Sequence, residues 1–145
     1  MRTREELFGI APTSNQDAFD RVVEWFFGLK NPQSTVGNTC RYRAPSGRAC
    51  AVGFMIPDAL FRKEFECSRI PAVLRMSLEL CGHFSAVNFS FLGRLQACHD
   101  ASSSCAEFRE RLQEVAEEYT LSCATLDSFP DYVFILEDCD LGENS

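Results

Sequence analysis

Between residues 14 and 30 the apolar positions recur three and four apart, at Ala18, Phe19, Val22, Val23, Phe26 and Phe27. That spacing predicts one helix with a single buried face. Ser14, followed three residues later by Asp17, supplies a capping-box start, and Asn31-Pro32 supplies the stop. Beyond a polar loop, "CRYR" and "ACAVGF" flank a Pro-Ser-Gly turn, which predicts a β-hairpin across 40–53. Pro57 suits the first turn of a short helix in "PDALFRKEF", and a further helix runs from near Pro71 through "AVLRMSLEL" to Gly82. Phe89, Leu92, Leu95 and Cys98 line one side of the next helix, which ends at His99-Asp100. Serines 102–104 then cap a helix with Phe108, Leu112, Val115 and Tyr119 as its stripe. One short strand, Tyr132 to Leu136, is expected near the end.

The expected fold is therefore mainly α with a small β component: four to five helices packed around a β-hairpin in a single domain. Residues 1–13 read as an N-terminal extension and 14–121 as the globular part. Residues 122–145 read as an acidic segment, partly docked through "YVFIL" because five such side chains lose burial energy in water.

Composition narrows the class. With 145 residues the chain is long enough for one real core, and thirteen Phe against a single Trp make that core aromatic. No run approaches the ~18 consecutive apolar residues of a membrane span, and "MRTREELFGIAPTS" lacks the apolar centre of a secretory signal. A cytoplasmic location is the resulting expectation. The eight cysteines include no Cys-x-x-Cys pair, so Cys67, Cys81, Cys98, Cys105, Cys123 and Cys139 read as small buried hydrophobes.

The net charge of −7 conceals an asymmetry. Residues 1–99 carry twelve Lys/Arg against nine Asp/Glu, whereas residues 100–145 carry two against twelve. The basic excess gathers between 41 and 75, at Arg41, Arg43, Arg48, Arg62, Lys63, Arg69 and Arg75. A local cluster of this kind in an acidic chain points to an anionic partner, or to the chain's own acidic end.

Four segments in order, "AFDRVVEWFF", "CRYRAPSGRACAVGFMIPD", the Glu66 region and "LGRLQACHD", resemble a family of small, functionally uncharacterised proteins encoded by bacteriophages and bacteria. The likeness spans roughly residues 15–120 and is carried by Cys-x-Tyr-Arg, Cys-Ala-x-Gly-x-x-Ile-Pro-Asp and Leu-Gln-x-x-His-Asp. Two features depart from it: Cys67 follows Glu66 where the family pattern has Gly, and the acidic stretch after 121 is additional. The resemblance implies no activity. It implies which residues to examine, Asp58 and Glu66 among them.

Several chemistries fit those residues. Arg41, Tyr42, Arg43 and Arg48, with Asp58, Glu66, His99 and Asp100, form the candidate ligand-binding set. Arginine forks hold phosphate or carboxylate bidentately, so a small anionic ligand or a host protein is the expected partner. The acidic balance argues against duplex nucleic acid. Cys40, Cys50 and His99, with Asp100 as a carboxylate, are the candidate zinc ligands. A Cys40–Cys50 disulfide is sterically open but unsuited to a reducing compartment. A Cys–His hydrolase or transferase would use Cys50 or Cys40 with His99, yet the apolar surroundings of Cys50 bury a thiol. Adjacent residues on a helix diverge, so Asp100 is not expected to orient His99. His99 also suits the end of a helix dipole, His83 reads as a loop or cap residue, and Gly53 reads as a close backbone approach or a bulge. The expected function is an accessory binding module, sequestering a nucleotide signal or inhibiting a host factor, with the zinc-stabilised module and the Cys–His enzyme as alternatives.

Overall fold

The computed structural model describes residues 1–31, 35–36, 39–40, 42, 48–67 and 69–131. Seven α-helices lie among them: α1 Arg4–Leu7, α2 Asn15–Val23, α3 Ile70–Arg75, α4 Leu78–His83, α5 Phe89–Ala101, α6 Cys105–Glu118 and α7 Ala124–Asp127. Ser14 caps α2 by accepting from the Asp17 N–H, and Ser104 does the same for α6 from Glu107. The apolar stripe of α2 is buried in full. After Val23 the coil widens into a π-helical turn, Glu24–Gly28. Lys30, at φ 59°, ends the run in the left-handed conformation, and the Asn31 side chain caps the Trp25 carbonyl at 3.0 Å.

Among the described residues, the hairpin expected across 40–53 does not form. Strand pairing among the described residues is limited to an antiparallel contact of Thr35–Val36 with Thr39–Cys40, plus an isolated bridge at Ala49. "ACAVGF" instead becomes a turn followed by a 3-10 turn, Gly53–Met55, with every residue from Ala49 to Ile56 buried. A strand with one solvated face alternates its burial; this segment is enclosed on all sides. The fold is mainly α, with more helices than expected and no sheet layer among the described residues.

Two smaller corrections follow the same logic. "PDALFRKEF" forms a turn at 58–60 and a 3-10 helix, Lys63–Cys67, where an α-helix was expected. The helix expected through to Gly82 is split, because Ser77 takes an extended backbone and caps a new one by accepting from the Leu80 N–H. The strand expected at 132–136 lies outside the described residues. Just before it, Arg109 binds Asp131 at 2.7 Å and the Leu126 carbonyl at 2.9 Å, fastening α7 to α6.

The core is an aromatic stack. Trp25 lies parallel to Phe54 with centroids 4.7 Å apart, and Phe26 meets Phe54 and Phe108 edge-on at 6.3 and 5.2 Å. Each such side chain contributes roughly 1.5–3 kcal/mol by burial. Residues 1–9 close over this stack. Thr3 and Glu6 make a capping box for α1, Leu7 is fully buried, Phe8 meets Trp25 at 5.8 Å, and the Arg4 guanidinium sits 4.7 Å over the indole.

Arg2 fastens that strap to α2 by hydrogen-bonding Asp17 at 2.8 Å and Glu24. Burial pushes the Asp17 carboxyl up, but hydrogen bonds from Arg21, Arg2 and the Thr13 N–H outweigh it and hold the group at about 2. Glu24 is likewise held below its usual range, with the Arg2 contacts overcoming burial. A carboxyl depressed on folding stabilises fully above its unfolded value of 3.8 and loses that contribution as pH falls towards about 2. Arg2→Ala should therefore cost roughly 1–3 kcal/mol near neutrality. In thermal melts across pH, the gap between variant and wild type should shrink as pH falls through that window. A gap independent of pH would show that Arg2 acts only by packing.

Candidate functional site

The buried segment Ala49–Ile56 organises the site. It is not helical, so its backbone groups must find partners inside the protein. The Cys50 N–H donates to the Tyr42 carbonyl at 3.2 Å, and the Val52 N–H to the Gln96 side-chain oxygen at 3.1 Å. The Gly53 N–H reaches the Cys50 sulfur at 3.3 Å. The Phe54 carbonyl accepts from the Gly9 N–H at 2.7 Å, and the Met55 carbonyl contacts His83 Nε2 at 2.7 Å. His83, expected to be a loop or cap residue, is thus the last residue of α4 and a brace for this segment. Gly53 makes the close approach expected of it, since a Cβ there would lie 2.1 Å from the Tyr42 carbonyl oxygen.

Several residues singled out in the sequence meet here. Tyr42 is buried, and its N–H donates to Glu66 Oε1 at 2.8 Å. Its hydroxyl is driven up by burial first, then by the nearby Cys50, Asp100 and Glu66. From the end of α5, His99 is fully buried and its Nδ1 contacts Asp100 Oδ1 at 2.8 Å. This corrects the expectation that neighbours on a helix diverge too far to interact. The His99 ring also packs on Phe26 at 5.4 Å, which seats it in the aromatic core.

Asp100 Oδ1 receives a second donor, the Gln96 side-chain amide nitrogen, at 2.8 Å. Gln96 lay inside the "LQACHD" motif without an assigned role. Its signal was the spacing, because a Gln and an Asp four apart share a helix face. Arg69, noted before only as part of the basic cluster, is the other residue that the sequence reading left without a role.

Arg69, Gln96 and Asp100, with Gly93, Ala97 and Ala101, line a pocket of about 570 Å³ along α5. The three small residues form the helix surface and the three polar ones supply a guanidinium, an amide and a carboxylate. Arg48 and Asp58 do not line it: Arg48 is half-buried at the start of the enclosed segment, and Asp58 is exposed on the turn after it. Arg41 and Arg43 lie outside the described residues.

No protein-family model, curated protein or solved structure matches the chain. The site's chemistry has to be read from its own geometry.

For thiol chemistry that geometry is unfavourable. Cys50 is completely buried, and burial pushes its thiol far up, the Gly53 and Val52 N–H groups offsetting only part of the effect. A nucleophilic cysteine needs the opposite environment, exposed and electropositive. For a metal, no group of three His, Cys, Asp or Glu among the described residues is arranged to hold an ion. The Cys40 side chain, named with Cys50 and His99 as a zinc ligand, lies outside the described residues. Among the described residues, no helix is long and apolar enough to cross a membrane.

Two outcomes test this arrangement. Gly53→Ala should lower unfolding free energy in urea by several kcal/mol, because overpacking against a fixed carbonyl costs more than the ~1–3 kcal/mol of an ordinary core insertion. A loss below ~1 kcal/mol would mean that the Tyr42 backbone yields easily. In native protein at pH 7, iodoacetamide should leave Cys50 unmodified while reaching the half-buried Cys81 and Cys123 first. Peptide mapping that finds Cys50 alkylated ahead of those two would restore it as a nucleophile.

Proposed function

We propose that this protein is a small binding module, not a catalyst, and that it holds a small anionic ligand in the pocket along α5. The observation that carries the reading is the exposed Arg69 guanidinium, which makes no ion pair among the described residues and faces a concave surface about 570 Å³ in volume. Arg2, Arg21, Arg94 and Arg109, by contrast, are engaged with carboxylates. A pocket of this size suits a ligand on the scale of a mononucleotide or a sugar phosphate. An arginine is suited to phosphate or carboxylate because its fork matches two oxygens at once. The burial of Cys50 supports binding over turnover, since the most nucleophilic side chain near the site is withheld from solvent.

The fit with the phage and bacterial family resemblance is that of a sequestering accessory protein: a module that lowers the free concentration of an anionic metabolite. The test is thermal shift with mononucleotides, sugar phosphates and dicarboxylates. A binder at a hundredfold excess over its Kd adds about 2.7 kcal/mol, which is a rise of several degrees in Tm. One anion class should produce that rise in wild type and lose it in Arg69→Ala. A flat panel, or a rise that survives Arg69→Ala, would remove the reading.

A further inference from the structure

The polar atoms of Gln96 are assigned by their partners. One faces the Val52 N–H at 3.1 Å, which has only a hydrogen to offer, so that atom is the oxygen. The other faces Asp100 Oδ1 at 2.8 Å, so it is the NH₂ group. His99 Nδ1, 2.8 Å from the same oxygen, carries a hydrogen for the same reason. Two donors from α5 itself therefore converge on one oxygen of Asp100. Gln96 is buried, His99 is sealed in the core and the Asp100 side chain is 44% exposed. The carboxylate is thus gripped from the protein side and presented on the pocket side. A carboxylate held in this way is an acceptor.

Resting on the binding reading above, we propose that Gln96 and His99 are positioning residues that fix Asp100 as an acceptor, so that the pocket selects ligands joining N–H donors to the anionic group that Arg69 holds. A bare anion meets Arg69 alone and brings no donor to Asp100. An aminopurine nucleotide and a basic amino acid both carry the two features. Ribose 5-phosphate and inorganic phosphate carry only the anion.

The experiment is isothermal titration of the full chain with guanosine 5′-monophosphate, L-arginine, ribose 5-phosphate and inorganic phosphate. At least one of the first two should bind tenfold or more tightly than either anion-only probe, and which one does so identifies the source of the donors. Asp100→Asn should collapse that ratio to near unity. Gln96→Glu keeps an oxygen for the Val52 N–H but sets a carboxylate against Asp100, so it should lower the ratio several-fold while circular dichroism stays that of wild type. A purely structural role for Gln96 would alter stability and leave the ratio unmoved, and that result overturns the proposal. Equal binding of all four probes, or anion-only probes binding best, overturns it while leaving the binding reading in place. No binding by any of the four also overturns it, and the binding reading then falls only if the dicarboxylates of the thermal-shift panel fail as well.

Discussion

Running eight residues of irregular backbone through the centre of a small protein is costly unless every N–H and carbonyl finds a partner, since a buried group left unmet costs roughly 1–3 kcal/mol. Ala49–Ile56 is such a segment, and most of the molecule can be read as a set of answers to it. Gly9 approaches from the N-terminal strap to meet Phe54, His83 closes α4 against Met55, and Gln96 reaches from α5 to Val52. Tyr42 supplies the carbonyl for Cys50, close enough that position 53 has no room for a Cβ. Helices α4 and α5 do not simply pack on this segment; each contributes a polar side chain that it requires.

The same requirement creates the polar site. Once Gln96 is committed to Val52 through its oxygen, its amide nitrogen has a fixed direction, and Asp100 lies in that direction one helical turn away. His99 packs against Phe26 and Phe108 and meets the same carboxylate oxygen. A demand of the core is thereby transmitted to the surface as the orientation of a charged group. Glu66 performs a similar service by capturing the Tyr42 N–H, so that Tyr42 is secured through both its N–H and its carbonyl.

The sequence made the long helices legible because their burial is periodic. The stripes of α2, α5 and α6 recur three and four apart, with serine caps before α2 and α6, although in α5 Phe91 is the buried aromatic and Phe89, expected on the stripe, is exposed. The buried state of Cys50 and the tight approach at Gly53 were legible for the same local reasons. The hairpin was misread because "ACAVGF" is apolar on every side, and an unbroken apolar run carries no period by which to tell a strand from an enclosed turn. Helix α1 was passed over although Thr3 and Glu6 carry the capping signal, since four residues offer no repeat to support it. The His99–Asp100 contact was missed because helix geometry alone separates adjacent side chains; it forms at the end of α5, where His99 is locked by aromatic neighbours contributed from distant parts of the chain.

Trp25 is the single tryptophan of the chain, stacked on Phe54 and overlain by the Arg4 guanidinium. One chromophore thus touches the strap, the helix that carries it and the enclosed segment. Its emission is a built-in optical gauge of whether those three are assembled. Fraying of the strap removes the cation from the ring, whereas opening of the interior removes the stack and admits water. The two events differ in spectral signature, so partial and global loss of structure are separable in this protein without attaching any label.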